Sequence, residues 1–314
     1  MDLPRCILII IFCCSVQSPG WAQPAEDSIG PTFTTIHVPG SKATVLLGIN
    51  SLNQMVGYYY NTGNGDNATG FLLSDGNFAF FSYPESDETL AVGVNDSGLI
   101  SGYAFTGAST SVGFLYDGVT FTTIELLDNG FTEVTGINNA GSFVGGRGHG
   151  DILQSFERVG TRFRDVTPPG AWLTAAAHGV NNFDEVVGSV IGGYSLNNGF
   201  AYIRGKFYTI AFPDAYDTSA WGVNDSGIIV GSYTGCTPLC AIHGFARMKG
   251  KYLSLDYPGA TLTFANGINN SGQIVGSYTF SDQEVYYGFV TSPITATDFE
   301  RPGCCVIDPN WQEH

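Results

Sequence analysis

Between residues 31 and 293 the apolar residues fall in short segments, broken every few positions by glycine, proline, asparagine or aspartate. Segments of this length, rich in Val, Ile, Thr, Tyr and Phe and bounded by turn formers, predict β-strands. The punctuated order recurs. A Gly-Ile/Val-Asn triplet begins at Gly48, Gly93, Gly136, Gly179, Gly222 and Gly267, at intervals of 45, 43, 43, 43 and 45 residues. A second glycine follows nine residues later each time, at Gly57, Gly102, Gly145, Gly188, Gly231 and Gly276. A period of this size marks a repeat architecture with room for four short strands per unit.

Each unit reads as strands A to D. Strand A is FTTI (33–36, 121–124) or FYTI (207–210), and strand B ends at the triplet, as in TFANGIN (263–269). Strand C is the QIVGSY segment, and strand D starts with Gly-Phe, as in GFLL (70–73) and GFAY (199–202). Five residues after the triplet glycine stand Asn53, Gly98, Gly141, Asp184, Gly227 and Gly272. These residue types tolerate the positive φ that a tight B–C hairpin requires. The triplet asparagines Asn50, Asn95, Asn138, Asn181, Asn224 and Asn269 open that turn, and their amides suit local Asx bonding. A calcium-binding ring of the same six residues is the alternative use for them.

Proline in the A–B connections (HVPGSK, FPDAYD, YPGATL) argues for a crossover rather than a continued ladder. Small residues near the ends of strand B suit a crowded centre. The units therefore predict blades ordered B, C, D, A from inside to outside. Because the chain starts on an A strand and its last unit ends on D at 288–291, closure requires the first strand to complete the last blade. The expected fold is all-β: a six-bladed β-propeller of four-stranded antiparallel blades, closed by the N-terminal strand. An open β-solenoid is the alternative.

Outside this region, residues 1–22 carry Arg5, an apolar run from Cys6 to Val16 and small residues at Gly20 and Ala22. That pattern predicts an export signal cleaved after Ala22, followed by a short linker (23–30), the propeller (31–293) and a C-terminal tail (294–314) that is loosely ordered unless tied by a disulfide. The expected location is secreted or periplasmic, with no membrane span once the signal is removed. Cys236, Cys240, Cys304 and Cys305 then remain, an even number that suits disulfides in an oxidising compartment. A local Cys236–Cys240 bridge is favoured, a vicinal Cys304–Cys305 bond is disfavoured as strained, and pairing of the tail to the loop stays open. The formal charge is −16, with 12 Lys and Arg against 28 Asp and Glu and no basic run. Nucleic acid is accordingly excluded as a partner. No cofactor is implied, although calcium would suit the acidic balance.

Gly-x-Phe-Thr-Thr-Ile, Pro-Gly-Ala, Gly-Ile-Asn-x-x-Gly-x-Ile-Val-Gly-x-Tyr and Gly-Phe together resemble the bacterial extracellular HAF-repeat proteins, most closely at residues 256–278. The resemblance covers about residues 31–293 and implies export and a repeat fold. The His-Ala-Phe triplet stands here as His243-Gly244-Phe245, and the other copies replace the histidine. The resemblance implies no reaction.

Function is read from length variation. The distance from Gly-Phe to the next triplet glycine is 23 residues, or 24 where Ser155-Phe156 replaces Gly-Phe, so insertions concentrate between strands C and D. The C–D loops thus form a variable face, and a secreted module binding a glycan or protein there is the leading expectation. Tyr60, Tyr103, Arg147, His149, Tyr194, Trp221 and His243 are its candidate ligand-binding residues. A hydrolase or lyase at the axial channel mouth would draw on Glu88, Glu133, His178 and Asp217, which stand at odd offsets before the triplet glycine. A non-catalytic structural envelope protein is the third reading.

Overall fold

The computed structural model describes residues 30–61, 67–107, 110–127, 130–150, 152–171, 174–191, 197–236, 240–280, 285–302 and 304–308. The expected export signal, its cleavage point and nearly all of the linker lie outside these. No described helix is long and apolar enough to cross a membrane.

Strand β1 (Phe33–Ile36) precedes the repeats. The first repeat forms β2 (Ala43–Ile49), β3 (Met55–Tyr60), β4 (Thr69–Ser74) and β5 (Asn77–Phe81). The second forms β6 (Glu88–Val94), β7 (Ile100–Phe105), β8 (Ser111–Tyr116) and β9 (Phe121–Ile124). The third forms β10 (Phe131–Ile137), β11 (Phe143–His149), β12 (Ile152–Val159) and β13 (Arg162–Asp165). The fourth forms β14 (Thr174–Val180), β15 (Val186–Ile191), β16 (Asn198–Ile203) and β17 (Lys206–Ile210). The fifth forms β18 (Asp217–Val223), β19 (Ile229–Cys236), β20 (Cys240–Met248) and β21 (Lys251–Leu255). The sixth stops at three strands, β22 (Leu262–Ile268), β23 (Ile274–Thr279) and β24 (Tyr287–Thr291). A 3₁₀ turn (Ala296–Glu300) and β25 (Val306–Ile307) follow.

The chain is all-β, and every quartet is an antiparallel B–C–D–A ladder. The missing strand of the last repeat comes from β1, which pairs antiparallel with β24, Phe33 opposite Thr291 and Ile36 opposite Gly288. The first and last strands of the repeat region are therefore hydrogen-bonded neighbours. By hydrogen bonding the described sheets number five. A single parallel bridge, Leu153 to Thr174, joins the third and fourth quartets into one sheet.

Each B strand lies against the B strand of the next repeat, and β22 lies against β2. The triplet glycines permit that approach. A Cβ on Gly136 would sit 2.6 Å from the His178 carbonyl oxygen and 3.2 Å from Gly179 Cα. Two residues earlier, Leu46, Ala91, Val134, Ala177, Ala220 and Ala265 are fully buried, as is the D-strand phenylalanine in most copies. Burial of a side chain as large as phenylalanine contributes about 2–3 kcal/mol. The uniform threonine four residues before the glycine has a polar task as well. Thr44, Thr89, Thr132, Thr218 and Thr263 accept the N–H of Val38, Tyr83, Leu126, Phe212 and Tyr257 at 2.8–3.2 Å, fixing the start of each crossover. Ala175 in the fourth copy has no hydroxyl for this.

Two expectations are corrected here. All six B strands carry a β-bulge just before the triplet glycine, where one extra residue interrupts the ladder. Glu88, Glu133 and Asp217, all beyond the bulge from the glycine, still share one face of their strands, whereas His178 and Trp221 are the bulge residues themselves. The described part of the tail packs back on the repeats, in line with a tail tied by a disulfide. Ile294 and Phe299 are buried, and β25 pairs with β21 at the outer edge of the fifth repeat. The Lys251 ammonium donates to the Phe299 carbonyl at 3.0 Å, and Asp308 N–H donates to Gly250 at 2.8 Å. Cys304 and Cys305 form the vicinal disulfide that strain was expected to disfavour, in a turn where Cys304 N–H donates to Arg301. Cys240 is disulfide-bonded, and Cys236 stands directly opposite it across β19–β20.

Candidate functional site

Strand order B–C–D–A puts the B–C and D–A turns on one face and the C–D loops and A–B crossovers on the other. The turn face is locked. Each B–C turn holds a left-handed residue, from Asp184 at φ 57° to Gly272 at φ 86°. The triplet asparagine organises the turn: Asn138 Oδ1 accepts the N–H groups of Ala140 and Ser142 at 3.1 and 2.9 Å. Its amide nitrogen does what the local reading missed, donating to the carbonyl of the next repeat's asparagine. The donations run Asn50 to Asn95, Asn138, Asn181, Asn224, Asn269 and back to Asn50, at 2.9–3.2 Å. The signal for this was the buried invariance of a polar residue at a fixed offset.

A second ring lies outside it. Ser51, Asp96, Asn139, Asn182 and Asp225 each donate their backbone N–H to the side chain at the same position of the next repeat, at 2.8–2.9 Å. At the closing step the acceptor position is Ser51, whose side chain is one oxygen on a short stem. The rings surround an axial depression of about 60 Å³, floored by Ile49, Val94, Ile137, Val180, Val223 and Ile268. That is room for a few ordered waters. The amide oxygens a six-asparagine calcium ring would need are already taken by backbone N–H groups. Among the described residues no group of three or more His, Cys, Asp and Glu side chains is placed to hold a metal.

The bulge residues of the inner strands are Leu47, Val92, Thr135, His178, Trp221 and Asn266, all half-buried. Thr135 and Asn266 tie the ring, donating to the carbonyls of Ala177 and Leu46 at 2.7 and 2.8 Å. His178 and Trp221 instead contact each other, ring centroids 4.2 Å apart. Each is tethered to a serine of its own C strand: His178 Nε2 lies 2.8 Å from Ser189 Oγ, and Trp221 Nε1 donates to Ser232 Oγ at 2.9 Å. Desolvation pushes the His178 imidazole down to about 3, so it is neutral at physiological pH. Burial pushes the Glu133 carboxyl up to about 7, with a hydrogen bond to Ser111 opposing it.

The four proposed acid–base residues are not gathered into one cluster. Glu133 is held by Ser111, His178 by Ser189 and Asp217 by Thr234, whose hydroxyl donates to Asp217 at 2.8 Å. Glu88 sits one strand away, opposite Phe105. None of the four lines the axial depression.

The tyrosines on the described loop side of the blades pack partly on one another. Tyr60 packs edge-on against Tyr58 and Tyr103 against Phe105. Tyr233 is stacked between Phe212 and His243, and Tyr278 between Tyr257 and Tyr287, so these rings spend their faces on one another. His243 Nδ1 lies 3.0 Å from Asp256 Oδ1. Arg147 and His149 share one face of β11, the first half-buried and the second exposed. Tyr194 and Asp151, with loop segments 62–66, 108–109, 192–196, 237–239 and 281–284, lie outside the described residues.

No family model and no curated protein matches the chain. Among solved structures, the β-propeller domain of the Trilobed protease from Pyrococcus furiosus is similar at 8 % identity and TM-score 0.45, over 85 % of this chain and 84 % of that one. YCF48 bound to a D1 peptide is similar at 10 % identity and TM-score 0.45, over 87 % and 98 %. The Aleuria aurantia lectin in complex with Fucalpha1-6GlcNAc is similar at 9 % identity and TM-score 0.42, over 84 % and 99 %.

Proposed function

We propose that the protein is an exported six-bladed β-propeller of the HAF-repeat type, completed by its N-terminal strand, that binds an extracellular glycan or protein through its loop face. The reading rests on the unequal treatment of the two faces. Every B–C turn opens with the same asparagine, holds one left-handed residue at the same offset and is tied to its neighbour through the asparagine ring. The opposite connections vary in length, and the inner strands below them vary in chemistry, with the His178–Trp221 pair as the most specific feature. A neutral imidazole and an indole, both half-buried and held by serines, are the uncharged aromatic groups from which a site for a hydroxylated ligand would be built. A glycan and peptide array probed with residues 31–314 tests this. Binding that falls at least tenfold in Trp221→Ala while the melting temperature stays near wild type supports it; an array at background contradicts it.

One observation favours a second reading. A Glu133 carboxyl half-protonated near neutrality suits a general acid. A hydrolase or lyase would then show activity that Glu133→Gln abolishes, with a pH profile breaking near 7. Activity unaffected by that variant removes it.

A further inference from the structure

The net charge of −16 hides a strong asymmetry. Eight of the 12 Lys and Arg residues lie in three short segments, 157–165, 203–206 and 247–251. The fold makes these the D–A hairpins of the third, fourth and fifth repeats, β12–β13, β16–β17 and β20–β21. The corresponding hairpins of the first two repeats carry Asp75 and Asp117 instead. D–A hairpins emerge on the turn face, so the exposed Arg162, Arg204, Lys206 and Lys249 form an arc along one side of its rim, while Arg164 and Arg247 are paired with Glu157 and Asp308 and Lys251 is tied to the Phe299 carbonyl. No basic run in the sequence announces this, because the three contributions are about 43 residues apart in the chain.

Two of these cations sit where turn chemistry resists them. Arg204 (φ 50°) and Lys249 (φ 47°) occupy the first left-handed position of two-residue hairpins, followed by Gly205 (φ 82°) and Gly250 (φ 74°). That position favours Asn, Asp or Gly, and the first repeat meets the preference with Asp75 (φ 49°). The fourth and fifth repeats accept backbone strain at an exposed tip in order to present a positive charge.

The neighbours of the arc are apolar as well as basic. Phe183, at the tip of the fourth B–C turn, is 69 % exposed, and Phe163 on β13 is 42 % exposed. Arg162, Arg204, Lys206 and Lys249 are exposed on the three hairpins, with Asp165, Asp184 and Glu185 the acidic residues nearest the two phenylalanines in the chain. Large exposed apolar side chains among cations on a turn face match a layer with charged groups outside and hydrocarbon beneath. Long-range repulsion from the rest of the protein is weak at this distance, since charge is screened over about 8 Å at physiological ionic strength.

We propose that this arc is a docking surface for an anionic lipid bilayer. The turn face lies on the membrane over repeats three to five, and the variable loops point away from it. The proposal does not depend on what those loops bind.

The test is co-sedimentation of residues 31–314 with phosphatidylcholine vesicles, alone or mixed with phosphatidylglycerol. The protein is expected to partition onto the mixed vesicles at low salt, to be released at high salt, and to ignore the neutral ones. Removing a cation near the surface weakens partition about fivefold, so Arg162→Glu, Arg204→Glu and Lys206→Glu combined should weaken it by at least about a hundredfold. Asn77→Glu, on the hairpin of the first repeat, should leave it unchanged. Arg204→Asn with Lys249→Asn supplies the sharper arm: it should raise the melting temperature by relieving strain and still lower partition. Failure to bind mixed vesicles at low salt overturns the proposal. So does equal loss in Asn77→Glu, or retention on a soluble polyanion such as heparin without vesicle binding.

Discussion

At the residue scale the fold depends on side chains that serve two masters. Asn138 closes its own turn through Oδ1 and reaches the next repeat through Nδ2, while only 4 % exposed. Asn138→Ala strands buried donors and acceptors at once, and a loss of at least about 3 kcal/mol in chemical unfolding is expected. Thr218→Val, which preserves shape but leaves the Phe212 N–H without its acceptor, should cost about 1–2 kcal/mol. The two shifted groups give opposite pH slopes. Glu133 binds its proton more tightly folded than unfolded, so its contribution falls as pH rises from about 4.5 to about 7. His178 binds its proton less tightly folded, so its contribution rises from about pH 3 to about 6.5. The wild type should therefore show a flattened stability profile between pH 4.5 and 6.5. Glu133→Gln should restore a rising slope of up to about 1.4 kcal/mol per pH unit there; an unchanged profile contradicts both assignments.

At the element scale the repeats were legible because the turns are local. A left-handed residue at a fixed offset, a following C strand and a Gly-Phe start for D are written in consecutive residues, and the structure has all of them. What the sequence left unread were relations between elements. The bulge before each triplet glycine is a property of the B–C pair, and it overrode the simple alternation that grouped His178 with Glu133. A tyrosine ring is a flat surface by its chemistry, but whether its face meets a ligand or Phe212 depends on the crossover that folds back on it. The vicinal Cys304–Cys305 bond was judged by local strain alone, whereas Phe299 and β25 hold the tail in place around it. The incomplete outer ring allows a prediction of the opposite sign. Ser51→Asn should supply the sixth acceptor, next to Asn270, and raise the melting temperature; a neutral or lower value means the ring contributes nothing at that junction.

At the scale of the molecule the two faces divide the work: one is tied repeat to repeat through asparagines, and the other is free to vary. That division needs a complete circle, because an asparagine at an open end would leave its donor or its acceptor unmet. In the proposed ring, the bond from Asn269 to Asn50 and the pairing of β1 with β24 are the two places where distant sequence would complete it. Residue order alone showed that the first strand was surplus and the last repeat one strand short, and register supplied the rest. The most direct measurement is therefore a cross-link between Thr34 and Val290, which face each other across β1–β24. With both changed to cysteine, mild oxidation should join them within one molecule and raise the melting temperature, with peptide mapping identifying the 34–290 bridge. No bridge, or a bridge formed only between molecules, would contradict the closed ring.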